Sequence, residues 1–385
     1  MSAIGDFAPG QAQAQRGRAQ AIRGGTRFVF TPTAEPCGVE TFARTLLDAL
    51  GEPQGAYSSL AVSGRWRDFP HLAGEVMRAD QLVFNFPLIA WKRLIVQPIL
   101  LLLLAALTRR RISVFLHEWT ALHGLRRLLI APFLLLGDSI VVVSPYIANQ
   151  VKSDRWLGRT AKAIHLLAHP PTVRRPQEEQ VTARVRDIEA AASRHDIVIG
   201  TFGSIYKGKS SNALLDVCAE LNGRNVRALI VYIGDFTHSL DGYEDEFRKA
   251  VAAKGVQEHV VVTGYVKDEG ELFALFRRMD TFLFLFPEGL TARRSSVIAC
   301  LQSNRPVIVS APLLATEFDH HTGLKTLIAE GSLGFVPTGA SISQVADQLL
   351  AAAGPAAQPA TRVDVAAWWQ ATIDGARSAM GEPKV

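Results

Sequence analysis

The chain has 385 residues, 48% of them hydrophobic and 20% charged, with 41 Lys and Arg against 36 Asp and Glu. That length predicts two domains, each able to bury its own core. The weak basic excess, without a concentrated basic tract and interleaved aromatics, argues against a nucleic-acid partner and suits attraction to an anionic membrane surface. Cys37, Cys218 and Cys300 are far apart and lack metal-ligand spacing, which fits a reducing, cytosolic compartment. Residues 1–25 are rich in Ala, Gln, Gly and Arg, with no apolar centre. They are expected to form a frayed tail without a signal-peptide pattern.

Arg27–Thr31 is a β-rich run that leads through Pro32–Cys37 and Gly38-Val39-Glu40 into an amphipathic helix, Thr41–Leu50, with Phe42, Leu46, Leu47 and Leu50 on one face. This opening lacks G-x-G-x-x-G, which argues against an NAD enzyme. Gly38 by itself fits a simple tight turn equally well. Gln81–Phe86, Ile112–Leu116 and Ser139–Val143 read as short strands with helical sequence between them, the pattern of parallel βαβ units.

Leu94–Leu107 is strongly apolar, bracketed by Lys92-Arg93 and Arg109-Arg110-Arg111. It falls short of the ~20 residues a spanning helix needs, and it contains Gln97 and Pro98. A buried crossover helix and a helix lying in a bilayer surface, with arginines at the headgroups, both fit. Arg126-Arg127 followed by Leu128–Leu136 repeats the pattern. His117-Glu118-Trp119 follows a strand directly, where an imidazole and a carboxylate can orient a hydroxyl or exchange a proton, or where they simply pack and cap. Ser144-Pro145 ends the next strand in the same manner.

Ala168–Pro176, rich in Pro and basic residues, reads as a linker, and Glu178–Arg194 as a charged helix. The strands that follow are Asp196–Thr201, Ala228–Ile233, His259–Thr263, Thr281–Phe286 and Pro306–Val309. Phe202–Ser211 is a glycine-containing loop ahead of a helix at Asn212–Leu221. Gly203, Gly208, Lys209 and Ser210 complete a P-loop by letter, although Ile205-Tyr206 are bulky for a phosphate cradle and no good Asp-ended strand follows. A nucleoside triphosphatase is therefore kept as an alternative.

Within Asp280–Pro312 a turn, Pro287–Arg294, joins a buried strand to a short helix, Ser295–Ser303. Such turns are where open α/β sheets take ligands, and helix N–H groups there favour phosphate. Glu288, Thr291, Arg293, Arg294, Ser295 and Ser296 supply a carboxylate, hydroxyls and two guanidinium groups. An ordinary loop with solvated arginines is the other reading. Val363–Met380 carries Trp368-Trp369 on a helix, and at least one of these must dock elsewhere.

From about Phe28 to Met380 these residues resemble a GT-B glycosyltransferase of the retaining family-4 type, in its bacterial polysaccharide-assembly subset. The resemblance implies an α/β fold of two Rossmann-like, doubly wound parallel-sheet domains facing a cleft, with a C-terminal helix crossing back to the first domain. It divides the chain into a tail (1–25), an acceptor-side domain (26–167), a linker and helix (168–195), a donor domain (196–360) and a crossover helix (361–385). Gly38-Val39-Glu40 resembles the first loop, which meets acceptor and donor phosphate, and His117-Glu118 the border of the acceptor cleft. Gly203–Lys209 resembles the phosphate loop, making Lys209 the diphosphate lysine. Gly234-Asp235 and Thr263-Gly264-Tyr265-Val266 resemble strand ends that shape the nucleotide pocket, and Asn304–Ile308 resembles the end of the donor motif.

Two departures stand out. Ser204 replaces the family's phosphate arginine, and counting back from Pro306 places the two glutamates of E-x7-E on Thr291 and Ala299. Arg293-Arg294-Ser295-Ser296 resembles an Arg-Arg-Gly-Ser run of some bacterial members, so either arginine would take over the phosphate role.

The resemblance implies a UDP- or GDP-linked sugar donor, no cofactor and no metal, and no D-x-D stands at a strand end. The catalytic set is then Lys209, Arg293, Arg294, His117 and Glu118. Gly203, Ser204, Tyr265, Val266, Glu288, Gly289, Leu290, Thr291, Ser295 and Ser296 would bind the donor. The apolar–basic segments imply a lipid-linked saccharide acceptor and a peripheral position on the inner face of the cytoplasmic membrane. A catalytically degenerate nucleotide-binding scaffold is the alternative that Ser204 and Ala299 raise.

Overall fold

The computed structural model of the chain describes residues 24–31, 38–51, 56–87, 94–120, 122–160, 162–206, 211–236, 242–353 and 363–381. Its first half builds a sheet from β1 (Thr26–Phe30), β2 (Tyr57–Ala61), β3 (Gln81–Phe86), β4 (Arg111–Leu116), β5 (Ser139–Val142) and β6 (Ala163–Leu166). The helices α1 (Gly38–Leu50), α2 (Phe69–Arg78), α3 (Val96–Leu107), α4 (Gly124–Leu136) and α5 (Pro145–Ser153) lie between these strands in the chain. After α6 (Ala183–Ala192), a second sheet collects β7 (Ile197–Phe202), β8 (Ala228–Ile233), β9 (Val260–Val262), β10 (Thr281–Phe284), β11 (Val307–Ser310) and β12 (Leu333–Val336). Its helices are α7 (Ser211–Gly223), α8 (Tyr243–Ala253), α9 (Glu269–Phe276), α10 (Ser295–Leu301), α11 (Thr322–Ala329) and α12 (Ile342–Ala353). The last helix is α13 (Val365–Ala379).

The strand orders are β2-β1-β3-β4-β5-β6 and β12-β11-β10-β7-β8-β9, and both sheets pair in parallel throughout. Central strands covered on both faces need continuous apolar sequence, and β8 (ALIVYI) is buried along its whole length. Connection direction reverses between β1 and β3 in the first sheet and between β7 and β10 in the second. These are the points where an open α/β sheet leaves a crevice at its carboxyl edge.

The crossover helix ties the halves together. Ala376, Ala379 and Met380 complete the core of Phe28, Phe30, Phe42 and Leu46 on one face of the first sheet. Trp368, earlier on α13, packs instead with Phe318, Leu324 and Leu327 of the second half. The Trp368 indole N–H donates to the His169 carbonyl at 2.9 Å, and the Thr372 hydroxyl donates to that of Ala168 at 3.0 Å. The expectation that one tryptophan docks is met by Trp368, which is 4% exposed.

Several boundaries differ from the sequence reading. The expected loop Gly38-Val39-Glu40 is the first turn of α1. Glu40 is buried, accepts from the Thr31 hydroxyl at 3.1 Å and pairs with Arg44 at 2.5 Å, so it favours a helical turn, and a carboxylate there also suits the dipole. The preceding turn, Pro32–Cys37, lies outside the described residues. Helix α6 begins only at Ala183 because the Thr182 side chain caps it, accepting from the Val185 N–H at 3.4 Å. Most of the expected tail, residues 1–23, also lies outside the described residues, whereas the Gly24 and Gly25 N–H groups are held by the Arg78 carbonyl and the Asp80 carboxylate.

Helix α3 buries Leu101, Leu102 and Ala105 against α2 and α4 but leaves Leu103 and Leu107 exposed. It is therefore a crossover helix buried on one side. Among the described residues no helix is long and apolar enough to cross a membrane.

Trp368→Ala should destabilise the protein by about 3–5 kcal/mol, the usual range for emptying a buried aromatic site. Equilibrium denaturant unfolding would show it, with Trp368→Phe losing less.

Candidate active site between the two sheets

The carboxyl edges of the two sheets face each other, and a buried carboxylate joins them. Glu317, in the segment after β11, is 1% exposed. It accepts from the Ser144 hydroxyl at 2.5 Å and from the Tyr146 N–H at 3.2 Å, both at the end of β5 where α5 begins. It also accepts from the Ala292 N–H at 2.9 Å, in the turn after β10. Burial raises its pKa, while Ser144, the two backbone donors and nearby Arg293 pull the other way. The sequence reading passed over Glu317. It lies seven residues beyond the end of β11 in the largely apolar run APLLATEF, where no motif marks it.

Next to Ala292 lie the two arginines. Arg293 Nη1 contacts the Glu118 carboxylate at 2.6 Å across the cleft, and its Nη2 lies 3.9 Å from Glu288. Arg294 pairs with Glu288, and its guanidinium carbon is 4.3 Å from the centre of the Phe286 ring. Both side chains are less than one-fifth exposed, so they are not solvated surface arginines. Glu288 is placed by the next residue. Gly289 has φ +69°, and a Cβ there would lie 2.3 Å from the Ala311 carbonyl oxygen.

Unused hydrogen-bonding capacity gathers in the same region. Among the described residues His117 Nε2, Thr291 Oγ1, Arg293 Nε and Arg294 Nε are buried without a partner. His117 touches the Phe42 ring edge-on at 4.8 Å. Burial, with His169 and Arg293 nearby, brings its pKa down to about 3, so the imidazole is neutral at ordinary pH. A neutral imidazole, a hydroxyl and two guanidinium edges can receive a polyhydroxylated, anionic molecule.

The other expected site residues divide. Gly203 and Gly234 bring the ends of β7 and β8 together, and a Cβ at Gly234 would lie 2.3 Å from the Gly203 carbonyl oxygen. Ser204 is exposed beside them, and with Gly203, Ile205, Tyr232 and Phe286 it lines a small crevice at these strand ends. Ser295 and Ser296 are half-buried in the first turn of α10, and Thr291 is buried beside Ala292. Leu290 and Val266 pack into the core of the second half, which leaves Tyr265, 66% exposed, as the free member of its pair. Ala299 is also in that core, so the helix offers no carboxylate at that position. Lys209 lies outside the described residues. Gly38, Val39 and Glu40 open α1 and do not join the arginine cluster. Two larger cavities, about 1000 and 870 Å³, flank the linker and α13 away from these groups.

No family profile and no curated protein matches the chain. Solved structures do. HepE of Anabaena, crystallised with UDP and glucose, superposes with TM-score 0.59 at 12% identity, covering 92% of this chain and 94% of HepE. A glycosyltransferase from Rickettsia africae gives 0.57 at 11% identity, with 92% and 93% coverage. The fold is GT-B. Sucrose-phosphate synthase from Thermosynechococcus elongatus gives 0.54 at 14% identity, with 92% and 94% coverage. In GT-B terms Glu317 and the Glu118–Arg293 pair bridge the interdomain cleft, and α13 is the helix that returns to the first domain.

Buried histidines make this arrangement acid-sensitive. His169 is brought down to about 4 and His321 to about 3, chiefly by burial. Their folded pKa values lie below the unfolded one, so the unfolded chain binds more protons between about pH 3 and 6.5. The contribution is complete above pH 6.5 and is lost as pH falls through that window. Denaturant midpoints should fall on acidification from pH 6.5 to 4, and His321→Gln should show a shallower fall.

Proposed function

We propose that the protein is a glycosyltransferase that moves a sugar from a UDP- or GDP-linked donor to a lipid-linked glycan acceptor in bacterial surface-polysaccharide assembly. The observation that carries this reading is the pair Arg293 and Arg294, largely buried at the carboxyl edge of the second sheet with unpartnered Nε groups. Support comes from HepE, which shares the fold at 11–13% identity and has been solved with UDP, with UDP and glucose, and with UDP-glucose.

In the reaction the bond between the donor's anomeric carbon and the diphosphate oxygen breaks, and the acceptor hydroxyl forms a new bond to that carbon. Negative charge grows on the departing nucleoside diphosphate. Arg293 and Arg294 meet it as fixed cations without a metal, aided by backbone N–H groups in the turn 291–296, and Lys209 contributes a further positive charge. Glu288 takes sugar or ribose hydroxyls, and Tyr265 lies against the base. His117, held neutral, donates to or accepts from a sugar hydroxyl through one ring nitrogen. Glu118 faces the acceptor. Attack from the face that the diphosphate leaves retains the anomeric configuration, and the acceptor proton goes to the departing phosphate oxygen.

The lipid-linked acceptor and a peripheral position on the inner face of the cytoplasmic membrane rest on the outer side of α3 and α4. Leu107, Leu125 and Leu128 are 83%, 61% and 69% exposed there. Exposed Arg109, Arg111 and Arg126 stand near them in sequence. Exposed leucines with flanking arginines are what an anionic lipid surface binds.

Nucleotide binding, turnover and vesicle sedimentation test these assignments. UDP or GDP should raise the melting temperature, since a ligand at 100-fold its Kd adds about 2.7 kcal/mol. Arg294→Ala and Lys209→Ala should each weaken that shift and lower kcat by about 10²–10³-fold with the sugar donor. Magnesium-dependent ATP hydrolysis lost in Lys209→Ala would favour a nucleoside triphosphatase, and nucleotide binding without turnover a degenerate scaffold. Leu107→Glu with Leu128→Glu should abolish co-sedimentation with anionic vesicles at low salt. Wild-type protein that ignores such vesicles and fully glycosylates a water-soluble acceptor would refute the membrane assignment.

A further inference from the structure

Resting on the donor-binding reading above, we propose that Glu118 is a gate on the donor site. Its carboxylate and the donor diphosphate compete for the Arg293 guanidinium, so donor binding exchanges one anion for another and releases Glu118 toward the acceptor.

The argument begins with charge balance. Arg293, Arg294, Glu118 and Glu288 form one contiguous cluster through the contacts Glu118–Arg293, Arg293–Glu288 and Arg294–Glu288. Two cations and two anions sum to zero. A diphosphate that joins this partly buried cluster brings a net negative charge that no free cation within it offsets. Lys209 offsets one unit of that charge, and withdrawal of a carboxylate from the cluster relieves the remainder.

Geometry selects which carboxylate leaves. Glu288 is in the same turn as the arginines, and the turn is fixed by the close approach of Gly289 to the Ala311 carbonyl. Glu118 comes from the opposite sheet, and at 37% its side chain is more exposed than that of Glu288 at 30%. Among the described residues its carboxylate has no partner besides Arg293. A carboxylate with over a third of its side chain in water recovers hydration when it swings out, which offsets part of the lost contact.

Hydrogen bonding favours the exchange. Glu118 takes a single contact from Arg293 and leaves the Nε of that residue buried and unsatisfied, with Thr291 Oγ1 also unsatisfied in the same turn. A phosphate group has enough oxygens to accept a two-pronged guanidinium contact and a hydroxyl together. Ser144 and Ala292 remain joined through Glu317 throughout, because none of those contacts involves Glu118. Release of Glu118 therefore changes the cleft lining without undoing the link between the sheets. The consequence is an order of binding: the donor enters first and makes the Glu118 carboxylate available to an acceptor hydroxyl.

Calorimetric titration with UDP, and with GDP and ADP in parallel, tests this on the full chain. Compared with wild type, Glu118→Gln should bind the nucleoside diphosphate about fivefold more tightly, the scale of a single ion pair of about 1 kcal/mol, while kcat with the sugar donor falls. Tighter binding with slower turnover is a split that general loosening of the cleft does not produce. In an Arg293→Gln background the same substitution should leave affinity unchanged. Equal or weaker binding by Glu118→Gln, with wild-type binding intact and its melting temperature preserved, overturns the gate alone. Absence of binding by wild type to all three nucleotides overturns the donor reading and the gate with it.

Discussion

Glu317 is the contact on which the cleft depends. A carboxylate taken fully out of water loses several kcal/mol of solvation and keeps its charge only where donors replace the lost water. Here the replacements come from both halves of the chain: the Ser144 hydroxyl and Tyr146 N–H from the first, and the Ala292 N–H from the second. Bonds to a charged group are worth about 1.5–3 kcal/mol each, which is of the same order as the desolvation they offset. The contact therefore adds little net stability and fixes geometry instead. Ala292 is the residue before Arg293, and β5, which leads to Ser144, pairs directly with β4, which ends beside Glu118.

The arginines then need no further scaffold. Their backbone is set by the Ala292–Glu317 bond on one side and by Gly289 against Ala311 on the other. Their side chains are held by Glu118, Glu288 and the Phe286 ring. These ion pairs are only partly exposed, so ionic strength screens them less than it would surface pairs.

The long apolar strands were legible in the sequence because strands covered on both faces must be apolar throughout, and QLVFNF and ALIVYI read directly. Three short strands, β2, β6 and β12, were not read. Ser58 and Ser59 interrupt the first, His165 the second and Gly334 the third, and four or five residues leave no period to detect. A glycine after a strand reads as a turn, and only the Thr31–Glu40–Arg44 contacts make Gly38 the start of a helix. Arg293, Arg294, His117 and Glu118 stand in segments that follow strands, which is the positional signal the sequence carries for them. What sequence could not give was the pairing of Arg293 with Glu118, which are 175 residues apart. Glu317 carries no motif and acquires meaning only through partners far away in the chain.

The return of α13 to the first half has a consequence for how the protein is made. One face of the first sheet is closed by Ala376, Ala379 and Met380, whereas every strand of that sheet precedes residue 167. On the ribosome the first six strands emerge well before the helix that covers them. Phe28, Phe42 and Leu46 therefore stand beside an open apolar groove while the whole second half is translated. A nascent chain in that state is a natural client for a holdase, and its vulnerable interval is set by elongation time rather than by the intrinsic speed of folding.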